Sequence, residues 1–261
     1  MPDIVMHNRM GELVLEKLSP EIREILDRNI FLFAGNGPDP YSFYRFFVPF
    51  LRHERNLRIV TMHKSKVSEF LLELSDLSER AEMFSFTAGF LCHFALDSTT
   101  HPYINKLANK GPGMHTAIEY RLDLIELERE GKQRKDILKL FPPYPDLEEF
   151  SFALKKVFGW EDNYFKAGYR HMKLYYLIVS DQSGLLNLLL KDRSGKLPAL
   201  SYRSKLCDGM DFRGFDELVP KAVDFGVNLV TKAFEYRNGS ASREELEQLI
   251  GNNNYSGVRM K

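Results

Sequence analysis

Apolar residues recur every three or four positions along most of the chain, the spacing of helices buried on one face. From Ile4 to Leu26 this period is broken once, at Ser19-Pro20-Glu21, where a serine cap and a first-turn proline restart a helix. Lys66 to Leu74 is a short amphipathic segment, and Glu79 to Leu96 is apolar nearly all round, as a central buried helix would be. Helices are also expected over Met114–Glu130, with a charged outer face, Leu147–Phe158, Asn163–Val179, Phe215–Tyr236 and Ser242–Ile250. The last of these opens on a capping box, Ser242 to Glu245. Strand signals are thin: Leu57 to Met62 alternates weakly, and no two runs are joined by a hairpin turn. Gly35-Asn-Gly-Pro-Asp-Pro40 reads as a rigid loop and Phe141-Pro-Pro-Tyr-Pro145 as a surface connection. Gly111-Pro-Gly113 stops one segment and lets the next helix begin just before His115. The expectation is an all-α fold, one compact multi-helix domain over residues 1–261, with 239–261 a loosely packed tail.

Composition narrows the classes. The 36 basic and 36 acidic side chains cancel, and 44% of the 261 residues are hydrophobic, so disorder is excluded as the dominant state. A chain with no excess of cations does not suit long nucleic acids. Two cysteines, Cys92 and Cys207, without a CxxC give neither a disulfide framework nor a thiolate zinc site. No apolar run approaches the roughly 20 residues of a membrane helix. The start Met1-Pro2-Asp3 leads into mixed polar sequence rather than a secretory leader, so a cytoplasmic location is expected.

Histidines and carboxylates supply the chemistry. His93-Phe-Ala-Leu-Asp97 places two ligand types one helical turn apart, and His101 lies a further turn along, where Pro102 is expected to end the helix. Fourteen residues later His115-Thr-Ala-Ile-Glu119 repeats the His and carboxylate spacing. Two helices presenting such pairs are what a multinuclear metal site inside a bundle requires. An unpaired Asp97 on so apolar a helix would be costly, and a bound cation explains it. HExxH, ExxH and HD motifs are missing, which argues against the metal-site classes that use them.

This set of residues resembles the zinc-dependent phospholipase C family, whose fold is shared with fungal zinc nucleases of single strands. Its members carry an early histidine, an aspartate in a Pro-Asp loop, a later histidine, a His-x3-Asp helix with a following histidine, and a His-x3-Glu helix. Here these fall, in the same order, on His7, Asp39, His63, His93 with Asp97, His101, and His115 with Glu119, within residues 1–236. The resemblance implies a helical core holding two or three Zn2+ ions. Asp39, His63, His93 and Asp97 would serve one, His101, His115 and Glu119 a second, and His7 with bridging Asp97 a third. It implies a metal-dependent phosphoric ester hydrolase in which an activated water attacks phosphorus in line, with Asp39 also acting as base.

The chain departs from the secreted members at two points. It opens Met1-Pro2 where they expose a tryptophan that completes the third site, and its only tryptophan is Trp160. Pro40 follows Asp39 where they carry a tyrosine lining the choline pocket, so phosphatidylcholine specificity is not carried over. The substrate expected is a small phosphoester or a phospholipid. A nuclease or nucleotidase on the same scaffold, and a non-catalytic metal-binding protein, are the alternatives. Outside the set, His53 reads as surface, His171 as helix surface or packing, Cys92 as core, and Phe43, Tyr44, Phe46 and Phe47 as an aromatic cluster beside Asp39.

Overall fold

The computed structural model describes residues 4–48, 52–109, 114–180 and 207–260, with only the backbone of 52–56 and 179. The described residues form thirteen α-helices, one 3-10 helix and no strand, with a single isolated bridge between Asn253 and Arg259. The chain is all-α, as its periodicity predicts.

The first four helices are α1 (Ile4–Lys17), α2 (Pro20–Ile25), α3 (Arg28–Ala34) and α4 (Pro40–Phe43). Ser19 caps α2 through its side chain, as expected, and Asp27 caps α3 by accepting from the amides of Asn29 and Ile30. Then come α5 (Arg52–Lys64), α6 (Val67–Asp76), α7 (Ala81–Ala108) and α8 (Met114–Arg129). A 3-10 turn (Arg134–Leu140) leads to α9 (Glu148–Phe158) and α10 (Asn163–Val179). Past residue 206 come α11 (Arg213–Asp216), α12 (Val219–Arg237) and α13 (Arg243–Ile250), the last capped by the predicted Ser242–Glu245 box.

The axis of the molecule is α7. Every residue from Met83 to Asp97 is buried, so this helix is enclosed on all sides. α3 and α12 lie along it, with α1, α6, α8 and α11 around it, while α10 covers α4. Burial on this scale is the main source of stability, at roughly 25 cal/mol per Å² of apolar surface removed from water. None of the described helices is long and apolar enough to cross a membrane.

Four differences from the sequence reading have physical causes. Leu57–Met62 is part of helix α5, not a strand, because the inward positions Ile59, Met62 and His63 follow helical spacing and the last is polar. Pro102 does not end α7, which runs six residues further. Proline there costs only the hydrogen bond to the carbonyl of Ser98. The expected helix Phe215–Tyr236 is two, α11 and α12, separated at Glu217–Leu218. Residues 239–261 are not a loose tail where described: Leu246, Ile250 and Tyr255 are buried.

Candidate metal centre

Five histidines and three carboxylates converge at the middle of α7. His93, Asp97 and His101 descend one face of that helix, His7 comes from α1, Asp39 precedes α4, His63 ends α5, and His115 and Glu119 are one turn apart on α8. Asp39 and His93 are fully shielded from solvent and Asp97 is 2% exposed. His115 is about a third exposed and marks the open side.

Asp97 is the hub. Its oxygens lie 3.4 Å from His7 Nε2, 3.7 Å from His63 Nε2, 3.2 Å from His93 Nε2 and 3.6 Å from His101 Nε2. Asp39 lies 3.9 Å from His7 Nε2 and 3.5 Å from His63 Nε2. Glu119 Oε1 is 3.4 Å from His101 Nε2 and 2.8 Å from His115 Nε2. Most of these gaps exceed a hydrogen bond. They match the edge of a zinc tetrahedron, about 3.3 Å when each ligand is about 2.0 Å from the ion. Three groups offer one ligand atom each, all mutually within 4.8 Å: His7, His93 and Asp97; Asp39, His63 and His93; His101, His115 and Glu119.

The donor set fits zinc, and the polar atoms left over argue the same way. Both oxygens of Asp39, Oδ2 of Asp97, Nε2 of His93 and Nδ1 of His7 are buried without a hydrogen-bond partner. Buried polar atoms are normally satisfied, and leaving carboxylate oxygens unmet costs several kcal/mol unless a cation meets them. Backbone carbonyls set the imidazole orientation. His63 Nδ1 faces the carbonyl of Ile59 at 2.9 Å, His93 Nδ1 that of Gly35 at 3.1 Å, and His101 Nδ1 that of Tyr255 at 2.9 Å. A carbonyl accepts only, so Nδ1 carries the hydrogen and Nε2 points its lone pair into the cluster. Gly37 turns the loop before Asp39 at φ +50°, and a Cβ there would meet the His93 ring at 2.3 Å, so only glycine fits. A cavity of about 20 Å³ opens among His7, Asp97, His101 and Glu119, room for one water.

The electrostatics favour a cation. Burial opposes charge on every group, yet the surrounding histidines hold Asp97 well below the ordinary carboxylate range. Positive charge around Glu119, to which His115 and His101 contribute, likewise outweighs burial and holds it low. Burial pushes His63 down, but Asp39 and Asp97 more than offset it and raise it to about 9. Burial and neighbouring His93 lower His7.

A family model for zinc-dependent phospholipase C matches residues 6–166, well over half of the chain and a stretch containing all eight residues. The chain belongs to the zinc-dependent phospholipase C family. No curated protein and no solved structure matches it. Family membership supplies zinc as the metal and hydrolysis as the chemistry, and it favours the hydrolase reading over a purely structural metal site.

The remaining residues divide as follows. His53 lies among residues 52–56, whose side chains are outside the described structure. His171 accepts from the backbone amide of Arg45 and touches Tyr44 and Phe47, a packing role. Cys92 is core, and burial pushes its thiol up. Of the aromatic cluster, Phe43 is buried against Tyr175 and Tyr176, whereas Phe47 is exposed. Tyr255 was not among the sequence candidates, although its ring lies 5.0 Å from that of His63 and 5.3 Å from that of His93. Its turn-rich surroundings, Asn252-Asn-Asn-Tyr-Ser-Gly257, carry no metal-ligand pattern that could have pointed to it.

Proposed function

We propose that the chain is one catalytic domain whose eight converging residues hold two or three zinc ions and hydrolyse a phosphodiester of phospholipase C type. The observation that carries this reading is Asp97, buried with four imidazole nitrogens within 3.7 Å and an oxygen that no hydrogen bond reaches. Asp39, His63, His93 and Asp97 would hold one ion and His101, His115 and Glu119 a second, while His7 and Asp97 would share in a third.

Bound zinc supplies a water whose pKa is lowered towards neutrality and positive charge for the phosphoryl oxygens. The protein's own groups do the rest. Asp39, with neither oxygen hydrogen-bonded, can serve as ligand through one and with the other orient the attacking water and take its proton. Helices α1, α5, α7 and α8 would fix the remaining ligands before substrate arrives, which spares reorganisation during the reaction. His115, about a third exposed, places substrate entry on the α8 side. The substrate is a phospholipid or a small phosphodiester.

The test is hydrolysis of phospholipid vesicles and of a chromogenic phosphodiester by purified protein. Turnover of either should vanish with a chelator and return with zinc, and D97A should have none. Turnover indifferent to chelation, or absent from both substrates in zinc-loaded protein, would overturn the proposal.

A further inference from the structure

The C-terminal residues close over the metal-site face of α7 and α5, outside the stretch that the family model matches. Met260 N–H donates to Asn252 O, Asn254 N–H to Val258 O, and the Asn254 carboxamide oxygen accepts from the amides of Ser256 and Val258. Ser68 anchors the base by donating to the carbonyl of Gly251 at 2.6 Å. Tyr255 sits at the tip of this loop, 1% exposed, with its ring against His63, His93 and Phe94.

Both backbone groups of Tyr255 reach ligand residues. Its carbonyl accepts from His101 Nδ1 at 2.9 Å, and its amide donates to the carbonyl of His63 at 3.1 Å. The loop rests on the turn of α7 between the ligands Asp97 and His101. Gly257, at φ +68°, approaches so closely that a Cβ would lie 2.4 Å from the Ser98 carbonyl and 2.8 Å from Pro102 Cγ. That carbonyl is the one Pro102 leaves without its helical donor, so the proline that interrupts α7's ladder also makes the seat for the loop.

We propose that Tyr255 is a positioning residue of the metal centre. Its carbonyl fixes the tautomer and direction of His101, and its amide ties the end of α5 to α7. The loop 252–260 and the metal ions therefore stabilise each other. This rests on the metal reading of the cluster. Loss of an orienting partner of a metal-bound histidine typically weakens binding 10- to 100-fold, and coupling between two binding events is reciprocal.

The full-length protein is titrated with cobalt(II) and zinc, reading metal affinity and the cobalt absorption bands, which report ligand geometry and which a packing role alone would not alter. G257A, which touches no ligand, and Y255A should each weaken binding at least tenfold and change the bands. Y255F should restore what Y255A loses, and F152S, on the exposed face of α9, should behave as wild type. In a second measurement, wild-type amide exchange is followed with and without chelator. Amides of 254–260 should lose at least tenfold protection relative to those of 229–233 in α12. Unchanged affinity and bands in G257A and Y255A, or loop protection indifferent to the metal, would overturn this proposal while the metal centre stands. Wild type without cobalt binding would overturn both.

Discussion

Asp97 cannot be replaced by any neutral side chain without leaving four histidines facing an uncharged gap. Its two oxygens are shared among His7, His63, His93 and His101, so D97A should strip metal from more than one position. H115A removes a ligand from the most exposed group alone, and should lose about one ion while the remainder stays bound, as metal analysis per chain will reveal. G37A forces a Cβ into the His93 ring and puts an L-residue at φ +50°. It should cost at least about 1 kcal/mol in denaturant unfolding and lower metal affinity as well. The candidate ligands are legible in the sequence because helical i, i+4 spacing makes His93–Asp97 and His115–Glu119 visible as pairs. Tyr255 is not, since it acts through its backbone, and a carbonyl has no residue signature.

Helices with one polar face announced themselves, and helices placed by their neighbours did not. α3 (Arg28–Ala34) is a short run with almost no polar face, because it is pressed against α7, and the periodicity does not show it. D27A removes two hydrogen bonds to the first turn and should cost about 1 kcal/mol by thermal unfolding. Zinc content should stay unchanged, although α3 is followed by Gly35, whose carbonyl holds His93. α5 was obscured for another reason: its inward face is finished by His63, and a histidine breaks the apolar pattern. Proline normally ends a helix, but in α7 the Pro102 turn packs against Gly257 of the loop and the helix continues.

For the molecule as a whole, metal binding and protonation compete. His63, raised to about 9, is protonated in the metal-free protein at neutral pH. Zinc must displace that proton, so binding should release about one proton or more at pH 7 and tighten as pH climbs towards 9. The sign for stability is the reverse. A raised folded-state value means that His63 contributes fully to metal-free stability below its ordinary value of 6.5 and loses that contribution as pH rises through about 9. Asp97, depressed, contributes above its ordinary 3.8 and loses this as pH falls below it. Metal-free protein should therefore melt lower at pH 9 than at pH 6.5, and zinc at about a hundred times its Kd should add about 2.7 kcal/mol. The most direct test is zinc per chain, counted by mass spectrometry on wild type beside D97A. Wild type should hold at least two ions, and D97A should lose more than one of them. Fewer than one ion in wild type, or equal contents in the two proteins, would contradict this.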